Sequence, residues 1–183
     1  IAADPNDNQP YQLLGDALAK LGQREEAIAC YRRAIEVNPN YPYTHNNLAD
    51  LLRHQGDLAG AIASYRKAIE LAPDYALTHW NYGMSLLLQG DYSRGWREYH
   101  WRWQVPSYRA SQTNIDAPLW LGLESLVNKT ILLLCEQGFG DMIQFCRYVP
   151  LLKRLGATNV ALLCHPALVR LMHSVEGLDQ VLS

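Results

Sequence analysis

The chain has 183 residues, 49% hydrophobic and 19% charged, which is longer than a single domain of about 150 residues and too apolar for a disordered chain. Sixteen Lys and Arg face eighteen Asp and Glu, and no basic block or stripe is present, so binding through a nucleic-acid backbone is disfavoured. No apolar run reaches the ~18 residues of a membrane span. The opening Ile1-Ala2-Ala3-Asp4-Pro5 shows neither a Met nor a basic-then-apolar leader, so no signal peptide is expected and the expected compartment is the cytoplasm. Four cysteines, Cys30, Cys135, Cys146 and Cys164, form no C-x-x-C pair; Cys135 and Cys164 close apolar runs and read as reduced, buried thiols.

The first hundred residues repeat themselves. Pro5, Pro39 and Pro73 recur at a step of 34 residues, as do Gly22/Gly56/Gly90 and Tyr31/Tyr65/Tyr99. Gly15/Ala49/Gly83 and Ala27/Ala61/Gly95 are small in every unit, which lets two antiparallel helices approach closely. Glycine at the end of a first helix tolerates the left-handed cap, and the proline separates one unit from the next. The periodicity predicts helices over 8–21 and 25–37, 42–55 and 59–71, 76–89 and 92–103. These columns resemble the tetratricopeptide repeat (TPR) over residues 4–103, which implies a mainly α chain built on a right-handed α-solenoid. In that reading, residues 1–7 close an earlier repeat and 8–41, 42–75 and 76–103 are three successive ones.

The array is expected to stop at the third unit. Arg102 stands where Ala34 and Ala68 stood, and Trp96, Tyr99, His100 and Trp103 make one bulky face fit to dock the next segment of the chain. Residues 104–128, with Pro106, Ser107, Ser111, Asn114 and Pro118, read as a connector without helix, anchored by Pro118–Gly122. Thr130–Cys135 is a continuous apolar run, expected as a strand buried on both faces. A turn at Glu136–Asp141, a helix over 142–155, a strand at Asn159–Cys164, a short helix at Pro166–Ser174 and a third strand from Gln180 give a β-α-β-α-β order. That order predicts a partial α/β parallel sheet over 129–183.

The turn after the first strand is the leading site candidate, because open parallel sheets bind ligands at the carboxyl ends of their strands. Gln137, Gly138, Gly140 and His165 are the expected ligand-facing residues there. A dinucleotide fingerprint fails at Ile143, and no phosphate-binding Gly-Lys-Ser/Thr exists, so no cofactor is expected. Asp141 has two readings: an N-cap boxed by Gln144 three residues on, or a ligand-facing carboxylate. His165 reads as a cap on the helix begun by Pro166, or as part of the same cleft. His45 and His79 read as packing residues, and no metal site is expected, since no Cys/His ligand spacing occurs. Asn128-Lys129-Thr130 matches a glycosylation acceptor by chance.

The stretch Leu134-Cys135-Glu136-Gln137-Gly138-Phe139-Gly140-Asp141-Met142 resembles TPR-linked bacterial proteins with a glycosyltransferase-like, Rossmann-like domain, and is similar to the first βα unit of heptosyltransferases. That resemblance implies Asp141 as general base on an acceptor sugar hydroxyl, and a nucleotide sugar as partner of a longer parent. The donor-binding half of such enzymes has no counterpart here, so the chain alone is expected to be inactive. His45-Asn46-Asn47-Leu48-Ala49 and His79-Trp80-Asn81-Tyr82-Gly83 resemble the repeats of O-GlcNAc transferase, whose asparagine ladder binds extended protein substrates. The resemblance carries that role to Asn47 and Asn81. A protein or peptide is then the expected partner in a groove formed by Asn46, Asn47, Asp50, Arg53, Trp80 and Asn81. Two functions fit these residues: a binding module, or the acceptor half of a transferase whose repeats select the acceptor.

Overall fold

The computed structural model describes residues 7–110, 117–135 and 138–183. The segment Ile1–Pro5, with Ser111, Asn114, Glu136 and Gln137, lies outside the described residues. The chain divides into two compact units, Ile1–Ser111 and Gln112–Ser183.

The first unit is a run of helical hairpins: α1 (Gln9–Lys20) with α2 (Arg24–Val37), α3 (Pro42–Gln55) with α4 (Leu58–Leu71), and α5 (Ala76–Gln89) with α6 (Tyr92–Tyr99). Punctuation by sequence explains the boundaries. Gly56 and Gly90 close α3 and α5 at φ 90°, a left-handed cap that a side chain would strain. Asp57 and Asp91 then open α4 and α6, each carboxylate accepting a backbone N–H three residues on (Gly60 at 2.9 Å, Arg94 at 3.1 Å). The sixth helix is shorter than expected: it tightens into a 3-10 turn over His100–Gln104. The segment expected to carry no helix also holds one, α7 (Pro106–Ala110), opened by a proline whose fixed φ suits a first helical turn.

The small columns set the spacing. A methyl built on Gly15 would stand 2.7 Å from the Tyr31 ring, and one on Gly83 would stand 2.5 Å from the Tyr99 backbone nitrogen. Ala27, Ala61, Tyr65 and Leu86 have no exposed surface, and they join Tyr31, Leu48, Ala49 and Tyr82 in one core cluster. Full burial of a large side chain such as Leu86 contributes about 1.5–3 kcal/mol. Leu14 shows what the stacking hides: it is 52% exposed, whereas Leu48 and Tyr82, one and two repeats later, are 6% and 8% exposed.

The second unit holds a three-stranded parallel sheet of β1 (Thr130–Leu134), β2 (Asn159–Leu163) and β3 (Gln180–Leu182), in that spatial order. Between β1 and β2 run α8 (Phe139–Phe145), a 3-10 turn at Cys146–Tyr148 and α9 (Val149–Arg154); a 3-10 turn at Pro166–Leu168 and α10 (Val169–Met172) lead to β3. The first strand is not buried on both faces. Ile131 and Leu133 pack with Met142, Cys146, Val149, Val160, Leu162 and Met172, while Leu132 and Leu134 remain 36% and 37% exposed. The crossover helices cover one face of the sheet only, so the apolar run alternates in burial. Trp120 is the anchor of Pro118–Gly122, packed on the core and donating to the Glu124 carbonyl at 2.9 Å; Leu119 and Leu121 stay exposed.

Candidate functional sites

The 34-residue step reappears as a set of hydrogen bonds. Tyr31 donates its hydroxyl to Asp16 at 2.6 Å, and Tyr65 donates to Asp50 at 2.8 Å. Asn47 donates to the same Asp16 oxygen at 3.2 Å, and Asn81 donates to Asp50 at 3.4 Å. A third pair joins successive first helices: Gln12 donates to Thr44 at 2.6 Å, and Thr78 donates to Asn46 at 3.0 Å. Each aspartate therefore ties the second helix of its own hairpin to the first helix of the next. Burial and the neighbouring aspartate push the Tyr31 and Tyr65 phenols well above their ordinary range, which keeps both as donors. Hydrogen bonds to a charged acceptor contribute about 1.5–3 kcal/mol each.

This network sorts the residues expected in the groove. Asn46 (3% exposed) and Asn81 (7%) sit in the seam between hairpins with little surface to offer. Asn47, Asp50, Arg53 and Trp80 keep partial exposure on the first helices. Arg53 bonds Asp50 at 3.0 Å, yet its Nε and the Trp80 Nε1 have no hydrogen-bond partner among the described residues. Asp16, Thr44, Thr78 and the tyrosine hydroxyls are parts of this inter-hairpin network that the sequence reading misses. Their signal is present in the sequence, because Asp16/Asp50 and Thr44/Thr78 keep the same 34-residue step.

His45 and His79 are buried and share one bond, ring Nε2 to the carbonyl of Pro39 or Pro73 at 2.8 Å. His79 differs in facing the Glu98 carboxylate at 2.6 Å through Nδ1 and stacking on Trp101 at 4.0 Å; the position matching Glu98 beside His45 is Ser64. Burial disfavours the charged ring, but Glu98, the Pro73 carbonyl and Asp74 outweigh it, so the His79 pKa is raised. A raised folded-state pKa stabilises fully below the unfolded value, and that contribution is lost as pH rises through the folded one. Denaturant midpoints are therefore expected to fall as pH rises above about 6.5, the ordinary imidazole value, with a smaller fall for His79→Gln. An equal pH slope in the two proteins would contradict the charged pair.

Arg102 is 8% exposed and lies in an aromatic box. Its guanidinium stands 4.4 Å from the Tyr99 ring centroid, 5.1 Å from Trp103 and 5.7 Å from Tyr108, and donates to the Tyr99 carbonyl and the Tyr108 hydroxyl at 3.2 Å. Tyr108 of α7 meets the edges of Trp80 and Trp103 at 5.3 and 5.5 Å. The expected bulky face is thus divided: Trp103 joins this box, while Trp96 remains 53% exposed.

In the second unit, a cleft of about 340 Å³ opens at the carboxyl ends of β1 and β2. Leu134, Cys135, Gly138, Phe139, Met142, Leu163, Cys164 and His165 line it. Gly138 and His165 therefore stand in the cleft, whereas Gly140 and Asp141 are not among its lining residues. Asp141 is not the N-cap: α8 begins at Phe139 with Gly138 as N-cap, and Asp141 is the third residue of the helix. His165 is a cap, its Nδ1 accepting the Ala167 N–H at 3.2 Å. All four cysteines are free; Cys164 is buried as expected, but Cys135 is exposed. Among the described residues no three His, Cys, Asp or Glu converge as a metal site, and no helix is long and apolar enough to cross a membrane.

Residues 13–76 match the family model described as tetratricopeptide repeat. Over those residues the chain reads as tetratricopeptide repeats. The TPR match ends at residue 76, and the Asp50–Asn81 and Thr78–Asn46 bonds carry the same stacking into the third hairpin. Two crystal structures of MamA are similar to it, with TM-scores of 0.52 and 0.51 at 21% identity, covering 60% and 63% of this chain. This chain spans 64% and 63% of those MamA chains, less than two thirds of either. The first TPR of Spaghetti (RPAP3) bound to the HSP90 peptide SRMEEVD is also similar, at TM-score 0.53 and 20% identity over 58% of this chain and 85% of that one. At such identities the likeness shows the fold alone. No curated protein matches the chain.

Proposed function

We propose that the TPR hairpins form a right-handed solenoid that binds an extended peptide or protein segment along α1, α3 and α5. The observation that carries the reading is the row of partly exposed polar and aromatic side chains on the first helices, Asn47, Asp50, Arg53 and Trp80, with the Arg53 guanidinium held by Asp50 at 3.0 Å. Peptide carbonyls and acidic side chains are acceptors for the Arg53 and Asn47 donors. In this reading Asn46 and Asn81 hold the groove open from behind, through Thr78 and Asp50. The Spaghetti (RPAP3) structure, which holds a peptide on a similar fold, supports it.

The test is a titration with a peptide selected on the whole chain from a displayed random library. Arg53→Ala is expected to weaken binding about tenfold or more, the loss of one charge-assisted bond. Lys67→Ala, on the second helix of the hairpin, is expected to change nothing. Equal affinity for wild type and Arg53→Ala would overturn the proposal.

A second reading rests on the parallel sheet and its strand-end cleft. Residues 129–183 are then the acceptor-side half of a Rossmann-like glycosyltransferase domain in a cytoplasmic parent, with Asp141 as base and a nucleotide sugar supplied on the other half. Gly138 and His165 in the cleft wall support it, and Asp141 adjoins the wall residue Met142 on α8.

A further inference from the structure

The last register pair of the first two strands is Leu134↔Leu163, so the next residues, Cys135 and Cys164, stand side by side where the strands end. Strand geometry persists to this point, because the Cys164 N–H still bonds the Leu182 carbonyl at 2.9 Å. Side chains alternate along a strand, which puts both cysteines on the face of Leu133 and Leu162, the face covered by helices. From that side α8 brings Met142, whose sulfur accepts the Cys135 thiol at 3.3 Å. All three residues line the one cleft, Cys135 exposed and Cys164 buried. The rest of the described wall is Leu134, Gly138, Phe139, Leu163 and His165, with no carboxylate.

The donor set is soft throughout. Burial raises the pKa of both thiols, and the charge of Cys164 raises that of Cys135 further, so the pair resists double ionisation without a cation. The nearest imidazole, His165, already uses Nδ1 to cap its helix. Two thiolates and a thioether suit a monovalent copper-like ion, not the oxygen-seeking cations.

We propose that Cys135, Cys164 and Met142 form a binding site for a soft monovalent cation of the copper(I) class. Binding forms two thiolate–metal bonds and one thioether–metal bond and releases the two thiol protons to solvent; no electron is transferred. Two further sulfurs belong to the same core cluster: Met172 is fully buried there, and the Cys146 thiol donates to the Ile143 carbonyl at 3.1 Å.

The test is anaerobic competition of the whole chain against bicinchoninate for copper(I), held reduced by ascorbate. Wild type is expected to withdraw one equivalent from the chelator, and more strongly as pH rises. Cys135→Ser, at an exposed position, is expected to abolish the withdrawal, and the near-isosteric Met142→Leu to weaken it about tenfold. The double variant Cys30→Ser/Cys146→Ser is expected to bind as wild type. Should Cys164→Ser fail to fold by circular dichroism, Cys135→Ser and Met142→Leu decide the matter. No withdrawal by wild type, full withdrawal by Cys135→Ser, or loss in the Cys30/Cys146 double variant would each overturn the site.

Discussion

Replacing Tyr65 with alanine is expected to lower the stability of the repeat unit by about 3–5 kcal/mol, the cost of emptying a fully buried aromatic site. Tyr65 has no exposed surface and belongs to the cluster that holds Leu48, Ala49, Tyr82 and Leu86 from two hairpins. Two losses combine in the substitution. The ring volume disappears from the core, and Asp50 loses the phenol that donates to it at 2.8 Å. Tyr65→Phe separates them, because it keeps the ring and removes only the hydroxyl; a loss of about 1.5–3 kcal/mol is expected from that bond alone. Urea unfolding followed by circular dichroism measures both. If alanine and phenylalanine were equally mild, packing between hairpins would not be the source of stability.

Gly83→Ala is expected to destabilise by about 2 kcal/mol or more, although alanine is the better helix former by about 1 kcal/mol. The added methyl would meet three backbone atoms of the Glu98–Tyr99 peptide in α6: Tyr99 N at 2.5 Å, Glu98 C at 2.9 Å and Tyr99 Cα at 2.9 Å. Backbone cannot rotate aside as a side chain does, so α5 and α6 must separate. Ala49 occupies the same repeat position without harm, and it lies in the buried core at 0% exposure. The difference places the strictest close approach in the third hairpin. A stabilising Gly83→Ala, read from the urea midpoint, would contradict the α5–α6 spacing.

The hairpins were legible in the sequence because their physics is local and repeated. Glycine at a left-handed cap, proline between units and small residues at helix crossings recur at one step, and α3 and α5 fall where the periodicity puts them. What escaped was the use of polar side chains between hairpins. Asn47 and Asn81 looked like a ladder facing outward, yet their amides also bond Asp16 and Asp50, a pairing across 31 residues that no local pattern reveals. α7 escaped because five residues carry no period, and its Tyr108 packs on Trp80, far earlier in the sequence, as well as on Arg102 and Trp103 nearby. The burial of β1 was misjudged for a related reason. An apolar run looks the same whether one or both faces are covered, and here the crossover helices pack on one. The Asp141 cap failed on a boundary: Gly138, in extended backbone at φ −69° and ψ 174°, is the N-cap of α8, so the carboxylate falls inside the helix.

The central claim is that the first helices of the hairpins form the binding face. Amide hydrogen exchange of the whole chain, with and without the library-selected peptide, tests it most directly. The account predicts slowed exchange in α3 and α5, centred on Asn47–Arg53 and Trp80–Met84, with α4 unchanged and the β1–β2 cleft unaffected. Protection confined to α4, or to the strand ends around Cys135 and Cys164, would contradict it.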